Sequence, residues 1–194
     1  SDRYRAALVG LICGREKVSG LNGSWVRECL TLPQFGARVQ EWALNEDYLM
    51  RIAPLLKERV ELFSDIVPMA AFFCAGTLNI SEQDFAHKSL DQEACKRILQ
   101  FTLWRLEVEQ DWSRDNLESI IKGMAEKMEL KIRDYLFPLF VAIAGTAVST
   151  SVFDSMAVLG ADMSRARLRH GVEVLGGVSK KQTKKWEKEF QDFC

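Results

Sequence analysis

The sequence predicts an all-α protein. Apolar residues recur at helical spacing along most of the 194 residues, capping-type residues precede several of these apolar runs, and no segment shows convincing strand alternation. Apolar residues make up 47% and charged residues 27% of the chain, which is the usual profile of a soluble globular protein with a genuine core.

The first amphipathic region covers residues 47–74, where apolar side chains at 49, 52, 55, 56 and 60 share one face of a helix. Pro54 lies inside this pattern, so we expect a kink or a new helix start near Ala53. Ser64 is the residue type that caps helices, and it predicts a second helix running through residues 69–73.

A polar segment, residues 79–90, interrupts the helical pattern and predicts a boundary between a subdomain of residues 1–80 and another of residues 81–194. Beyond it, Asp91 and Ser113 are predicted to cap two amphipathic helices, and a third helix is predicted from residue 131 to 144. Ser151 is expected to start a short helix that Gly160 ends.

Several classes of protein are disfavoured by what the sequence lacks. There is no apolar run of the roughly 18 residues that a membrane-spanning helix needs, and no secretory cleavage pattern. The five scattered cysteines and two histidines predict neither a disulfide framework nor a metal site, so we expect a cytoplasmic protein without metal or membrane.

The usual catalytic and nucleotide-binding motifs are not found in this sequence. The segment VSKK, residues 178–181, is similar to the lysine loop by which class I aminoacyl-tRNA synthetases hold ATP. We favour a different interpretation, in which Ser179 caps a basic helix. Whether the chain itself is an enzyme is left open.

Positive charge is concentrated in residues 164–188. Eight Arg or Lys residues face two Glu residues there, a balance of +6, whereas the whole chain carries −1. Such a basic end on an acidic body suits a polyanionic partner, although a solvated helix face is the commoner cause.

The segment REKVSGLNGSWVREC, residues 15–29, breaks the helical pattern with glycines. Gly23 permits a sharp turn, Asn22 can hydrogen-bond the main chain of that turn, and Trp25 can anchor the following helix in the core.

Several pieces of the sequence, in order, resemble the C-terminal half of bacterial glutamyl-tRNA synthetase. The family pattern K-L-x-W-x-N-G-x-Y-I-R is matched by Lys17, Leu21, Asn22, Gly23, Trp25, Val26 and Arg27, and PLLKERVELFSDIVPMAAFF is similar to the helix pair that follows it. Further matches to the family string are Trp112, Leu117, Glu118, Ala125, Glu126, Lys131, Pro138, Leu139, Ala142, Gly145, Ser149, Phe153, Leu159 and Gly160. The resemblance covers residues 16–169, most of the chain.

The resemblance implies a helical bundle followed by an α-helical anticodon-binding cage that holds the stem and loop of a tRNA. It places Arg59 at the position that contacts the last anticodon base, with Lys57 near the phosphates. Around the other anticodon bases it places Phe140, Ser149, Thr150, Val152 and Phe153. For contacts to the tRNA stem we single out Asn22, Arg27, Lys181 and Lys184.

By the same resemblance, the chain supports ATP-dependent attachment of glutamate to tRNA, catalysed by a separate domain of the same polypeptide. We therefore expect no cofactor in this chain, and ATP and Mg²⁺ only in the catalytic domain.

The sequence departs from the family at three positions: Gly20, where the family frequently has tryptophan, Phe140, where the family has arginine, and Thr150, where the family has proline. The last two departures leave three alternatives open: anticodon recognition that is altered, that is relaxed, or that is tuned toward glutamine-type tRNA. An alternative is a free-standing helical module that uses this scaffold to bind another RNA or a protein.

Overall fold

A computed structural model describes residues 25–43 and 45–191 of the chain. This part of the chain is helical and contains no strand, which confirms the predicted all-α class. The helices beyond residue 31 are α1 Leu32–Ala43, α2 Glu46–Lys57, α3 Ile66–Cys74, α4 Gln92–Glu107, α5 Arg114–Lys127, α6 Ile132–Ala144, α7 Val152–Val174 and α8 Lys180–Gln191. Among the described residues, no helix is both long enough and apolar enough to cross a membrane.

The chain divides into two compact units, residues 1–49 and residues 50–194. In the first unit, residues 25–28 are helical, and the side chain of Gln34 accepts a hydrogen bond from the Thr31 amide at 2.9 Å before α1 begins. The apolar side chains of Leu32 and Phe35 on α1 are exposed. Asn22 lies outside the described residues.

The predicted subdomain boundary after residue 80 falls inside the second unit and stays a prediction. The predicted connector, residues 79–90, is packed rather than open: Ile80, Phe85 and Leu90 are buried members of the core. A 3₁₀ turn, Glu82–Phe85, lies within it, and the Asp84 carboxylate accepts hydrogen bonds from the amide and hydroxyl of Ser81 at 2.7 and 2.8 Å.

The core of the second unit lies where α7 packs against α4, α5 and α6. One polar pair sits within it, because the hydroxyls of Thr102 on α4 and Tyr135 on α6 are 2.7 Å apart and hydrogen-bonded to each other. Both side chains are buried, and burial raises the pKa of Tyr135 well above its usual value. The phenol therefore stays neutral and satisfies a hydroxyl that would otherwise be buried without a partner.

Local capping rules fixed several helix starts. The Asp91 carboxylate accepts a hydrogen bond from the Ala94 amide at 2.7 Å, Ser151 accepts one from Asp154 at 3.4 Å, and Ser113 is the residue before α5. The caps at Asp91 and Ser151 are confirmed, as is the amphipathic helix predicted over residues 131–144. Ser113 lies at the predicted helix start, but its side chain makes no capping hydrogen bond.

One prediction near α3 is wrong. Ser64 does not cap α3; it lies inside a 3₁₀ turn, Phe63–Asp65, and it is the Asp65 carboxylate that accepts a hydrogen bond from the main chain, from the Leu62 amide at 2.9 Å. Of the two alternatives predicted at Pro54, a new helix start near Ala53 does not occur, because α2 runs through Pro54 to Lys57, and the kink stays a prediction.

The predicted end at Gly160 is an interruption within α7, which continues to Val174. Gly160 has φ +79° and ψ 176°, outside the helical region and in a conformation that favours glycine. Carbonyls of the turn before the break find side-chain donors: Arg51 donates to Ala157 and Val158 at 3.0 and 3.1 Å. The two halves of α7 thus stay packed although Gly160 between them is not helical.

α8 packs against α4 through the aromatic side chains of α8. Trp186 is 5% exposed, and the rings of Trp186 and Phe190 contact the Phe101 ring edge-on, with centroids 6.1 and 5.5 Å away. An ion pair between Arg97 and Glu189 joins the same two helices. The Ser179 hydroxyl accepts a hydrogen bond from the Gln182 amide at 3.3 Å, which confirms that Ser179 caps this helix.

Candidate functional site

A cavity of about 440 Å³ opens in the second unit between α3 and the loop that follows α6. One wall consists of α3 and the segment after it, and the other consists of the end of α6 and residues 146–150. Arg59, two residues after the end of α2, also lines the cavity. The lining residues are Arg59, Pro68, Met69, Ala71, Phe72, Ala75, Leu78, Ala144, Thr146, Val148, Ser149 and Thr150.

Arg59 connects two distant segments of the chain at this cavity. The main chain turns at the end of α2, where the Arg59 amide donates to the Leu56 carbonyl at 2.8 Å. Its guanidinium Nη1 then donates to the carbonyl of Ser149, 90 residues later in the sequence. Lys57 is the last residue of α2 and is exposed.

The loop after α6 is held in place by its own hydrogen bonds. Gly145 ends the helix with φ +78°, a left-handed conformation that any other residue adopts at a cost. The Thr146 hydroxyl donates to the Val148 carbonyl at 2.9 Å, and the hydroxyls of Thr150 and Ser155 are 2.8 Å apart. Arg59 therefore contacts an organised loop.

The chemistry of the lining favours binding over catalysis. The cavity offers a guanidinium, mostly apolar walls and hydroxyl groups, and its described lining contains no carboxylate, histidine or cysteine that could form an acid–base pair. A planar group with hydrogen-bond acceptors at its edge suits such a site, because a guanidinium donates in a fixed fork and also stacks on flat rings.

Comparison with known proteins identifies the family. The protein-family model described as "anticodon binding domain" matches residues 34–172, which is most of this chain. The chain belongs to the anticodon-binding domain family. It is similar to the glutamate--tRNA ligase of Marinobacter nauticus, with 51% identity over 97% of this chain, and to that of a Marinomonas species, with 50% identity over 99%. The predicted resemblance to glutamyl-tRNA synthetase is thereby confirmed.

This chain spans 38% and 39% of the length of those two relatives, and it corresponds to their C-terminal part. Its fold is also similar to a solved structure, a glutamate tRNA ligase from Elizabethkingia meningosepticum in complex with its amino acid. The TM-score is 0.60 at 20% identity, covering 84% of this chain and 33% of that chain. This likeness supports the all-α fold.

The cavity of the anticodon-binding domain brings together some of the predicted base-contacting residues. Arg59, Ser149 and Thr150 line it, although Thr150 is 4% exposed and its hydroxyl is bonded to Ser155. Val152 and Phe153 are core residues, 2% and 9% exposed, and are not among the residues that line the cavity; their base contacts stay a prediction. Their side chains pack inward because they begin the buried face of α7.

Phe140 is half-buried on α6 and packs against the core, and it is not among the residues that line the cavity. The residues predicted to contact the tRNA stem are spread over the chain. Arg27 is exposed in the first unit, and Lys181 and Lys184 are exposed on α8, away from the cavity lining.

Sequence reasoning missed Arg167, which binds the main chain of both cavity walls. Arg167 is buried, and its guanidinium donates to main-chain carbonyls at the ends of α3 and α6. A signal was present: Arg167 shares one helical face with the small or apolar residues Ser164, Leu168 and Gly171. A lone arginine on such a face indicates a buried, fully bonded guanidinium.

Proposed function

We propose that this chain is the tRNA-recognising part of a glutamate--tRNA ligase and that the cavity beside Arg59 reads an anticodon base. The observation that carries the proposal is the position of Arg59, which is tied through one nitrogen to the Ser149 carbonyl while lining the cavity. Within the described part of the chain, Nη1 is the Arg59 nitrogen that forms a hydrogen bond. The remaining N–H donors of the guanidinium can therefore reach the edge of a base.

The dimensions and the polarity of the cavity support this assignment. Pockets for small ligands have volumes of about 300–1,000 Å³, and an unpaired base is smaller than most such ligands. Phe72 and Met69 give the walls an apolar character, against which a flat ring can pack. Proteins read RNA in this way, through splayed bases that are stacked and hydrogen-bonded at their edges.

Phosphate contacts surround the base-reading group in this proposal. Lys57 is exposed two residues before Arg59 and can contact the anticodon-loop backbone, while Ser149 presents the loop side of the cavity. Arg27, Lys181 and Lys184 are proposed to contact the stem electrostatically. In the full-length enzyme, recognition by this part would make ATP-dependent ligation of glutamate conditional on the anticodon.

Glutamate and glutamine anticodons differ in their last base, so the pair tests the role of Arg59 directly. We expect the chain to bind a tRNA transcript with a glutamate anticodon more tightly than the same transcript with the last base changed to the glutamine type. Arg59→Ala should lower this ratio of dissociation constants by about 5- to 100-fold, because a forked guanidinium contact discriminates bases. Filter binding or a gel shift at fixed salt measures both.

Lys184→Ala is the matched control, since it also removes one cation. It should weaken binding of the two transcripts alike and leave their ratio unchanged. Equal binding of both transcripts by the unmodified chain would refute base reading, and a preference for the glutamine anticodon would assign the domain to glutamine-type tRNA. The ligase part of the proposal is tested by the reading frame upstream of Ser1, where an ATP-binding signature of class I synthetases is expected.

A further inference from the structure

Arg167 lies in the second half of α7, where its side chain is 1% exposed. Its guanidinium donates to four main-chain carbonyls at distances of 2.5 to 3.1 Å, those of Phe72, Ala75, Gly76 and Ile143. The first three belong to the last turn of α3 and the residues just after it, and Ile143 belongs to the last turn of α6.

Helix ends explain why an arginine occupies this place. The last carbonyls of a helix have no partner within it, and the negative end of the helix dipole favours a nearby cation. Arg167 meets two such ends at once, and its planar fork of donors can satisfy several carbonyls in one geometry. The contact therefore fixes the end of α3 relative to the end of α6.

These two helix ends are also the two walls of the cavity. Phe72 and Ala75, whose carbonyls Arg167 binds, line one wall, and Ala144, the neighbour of Ile143, lines the other. One turn further along α7, His170 hydrogen-bonds the carbonyl of Leu78, a further lining residue, at 3.1 Å.

We infer that Arg167 is a positioning residue for base recognition: it sets the spacing of the cavity walls and thereby the place of the Arg59 guanidinium against the base. Arg167 itself is buried, is not among the lining residues of the cavity, and touches no RNA. This inference rests on the proposed function. Its physical reason is that a recognition site discriminates only while its groups are held within about 0.5 Å of the productive geometry.

Arg165 provides a matched control on the same helix. Two residues before Arg167, it donates to the Leu106 carbonyl at 3.0 and 2.7 Å and to the Glu109 carbonyl at 2.9 Å, at the end of α4. Neither carbonyl belongs to a residue that lines the cavity. Arg165→Met and Arg167→Met thus remove the same kind of contact from two different places.

The experiment compares the ratio of dissociation constants for the two tRNA transcripts, measured on the full chain well below the thermal midpoint of each variant. Arg167→Met should lower the ratio by about fivefold or more, in the range typical of coupling between sites. Arg165→Met should lower the thermal midpoint but leave the ratio within about twofold of that of the unmodified chain. Circular dichroism confirms that each variant is folded.

If Arg167→Met does not fold, two milder variants replace it. Arg167→Lys keeps the charge with fewer donors, and His170→Ala removes the bond to Leu78; both should reduce the ratio less than Arg59→Ala does. A ratio unchanged in the folded Arg167 variants, or reduced equally in Arg165→Met, overturns the inference while Arg59→Ala still supports the proposed function. If the unmodified chain does not distinguish the transcripts, both the proposed function and the inference fail.

Discussion

The basic stretch from residue 164 to residue 188 contains two helical regions that use positive charge in opposite ways. On α7, Arg165 and Arg167 direct their guanidinium groups into the protein and donate to main-chain carbonyls at helix ends. On α8, the five lysines, Lys180, Lys181, Lys184, Lys185 and Lys188, are all exposed. A sum of charges along the sequence treats the two regions as one.

The difference follows from how each helix is packed. α7 contacts α3, α4, α5 and α6, so Arg165 is partly buried, Arg167 is fully buried, and both need several hydrogen-bond acceptors, whereas Arg169 on the same helix is exposed. α8 packs by one side, through Trp186, and helical geometry places its five lysines within an arc of about 140° on the opposite side. Arginine forks suit clustered carbonyls, whereas the strongly hydrated ammonium group suits solvent and phosphate. The exposed cations of this stretch are therefore the five α8 lysines and Arg169, and Arg169 forms an ion pair with Glu107 at 3.1 Å.

The largest effect that tests this comparison is on stability. Arg167→Met should lower the free energy of unfolding by about 3 kcal/mol or more, because methionine fills the space but leaves buried carbonyls without donors. Lys184→Met, the same substitution on α8, should change it by less than about 0.5 kcal/mol. Urea denaturation measures both, and similar losses from the two variants would contradict the division into interior and surface cations.

A second pair of variants tests how closely α7 is packed. A methyl group at Gly171 would approach Leu99 Cδ1 to 3.0 Å and Ala142 Cβ to 3.2 Å, so Gly171→Ala should cost about 1–3 kcal/mol by overpacking. Gly123 is also inside a helix, α5, but has no neighbour within 4 Å of its added methyl group. Gly123→Ala should stabilise by about 0.5–1 kcal/mol through helix propensity. A loss at Gly123 as large as at Gly171 would show that packing is not the cause.

How much of this structure the sequence predicts depends on the range of the interactions. Helix starts at Asp91, Ser113 and Ser151 were predicted correctly, because a cap involves residues only three or four apart. Ser64 was predicted wrongly as a cap, because it lies inside the 3₁₀ turn Phe63–Asp65, where the Asp65 carboxylate bonds back to the Leu62 amide. Asp65 precedes α3, but its side chain makes no capping hydrogen bond to that helix.

The candidate site depends on contacts that residue patterns do not contain. Arg59 and Ser149 are 90 residues apart, and the family resemblance, not periodicity, brought them into one prediction. The same resemblance placed Phe153 at the anticodon, but the local packing of α7 buries it. Arg167 was missed because its partners at 72–76 and 143 are distant in the chain.

The double variant Lys181→Ala/Lys184→Ala should have the smallest effect on stability. It tests α8 as a phosphate-binding surface. Its free energy of unfolding should stay within about 0.5 kcal/mol of the parent value, because both side chains are exposed. Binding of both tRNA transcripts should weaken equally, and the slope of log affinity against log salt should fall by roughly 1.4 to 1.8 as two phosphate contacts are lost. Lys88→Ala/Lys122→Ala removes the same charge from exposed positions outside α8 and serves as the control. If this control reduces the salt slope as much as the α8 variant does, net charge rather than the placement of the α8 lysines governs binding, and the surface half of the comparison is lost.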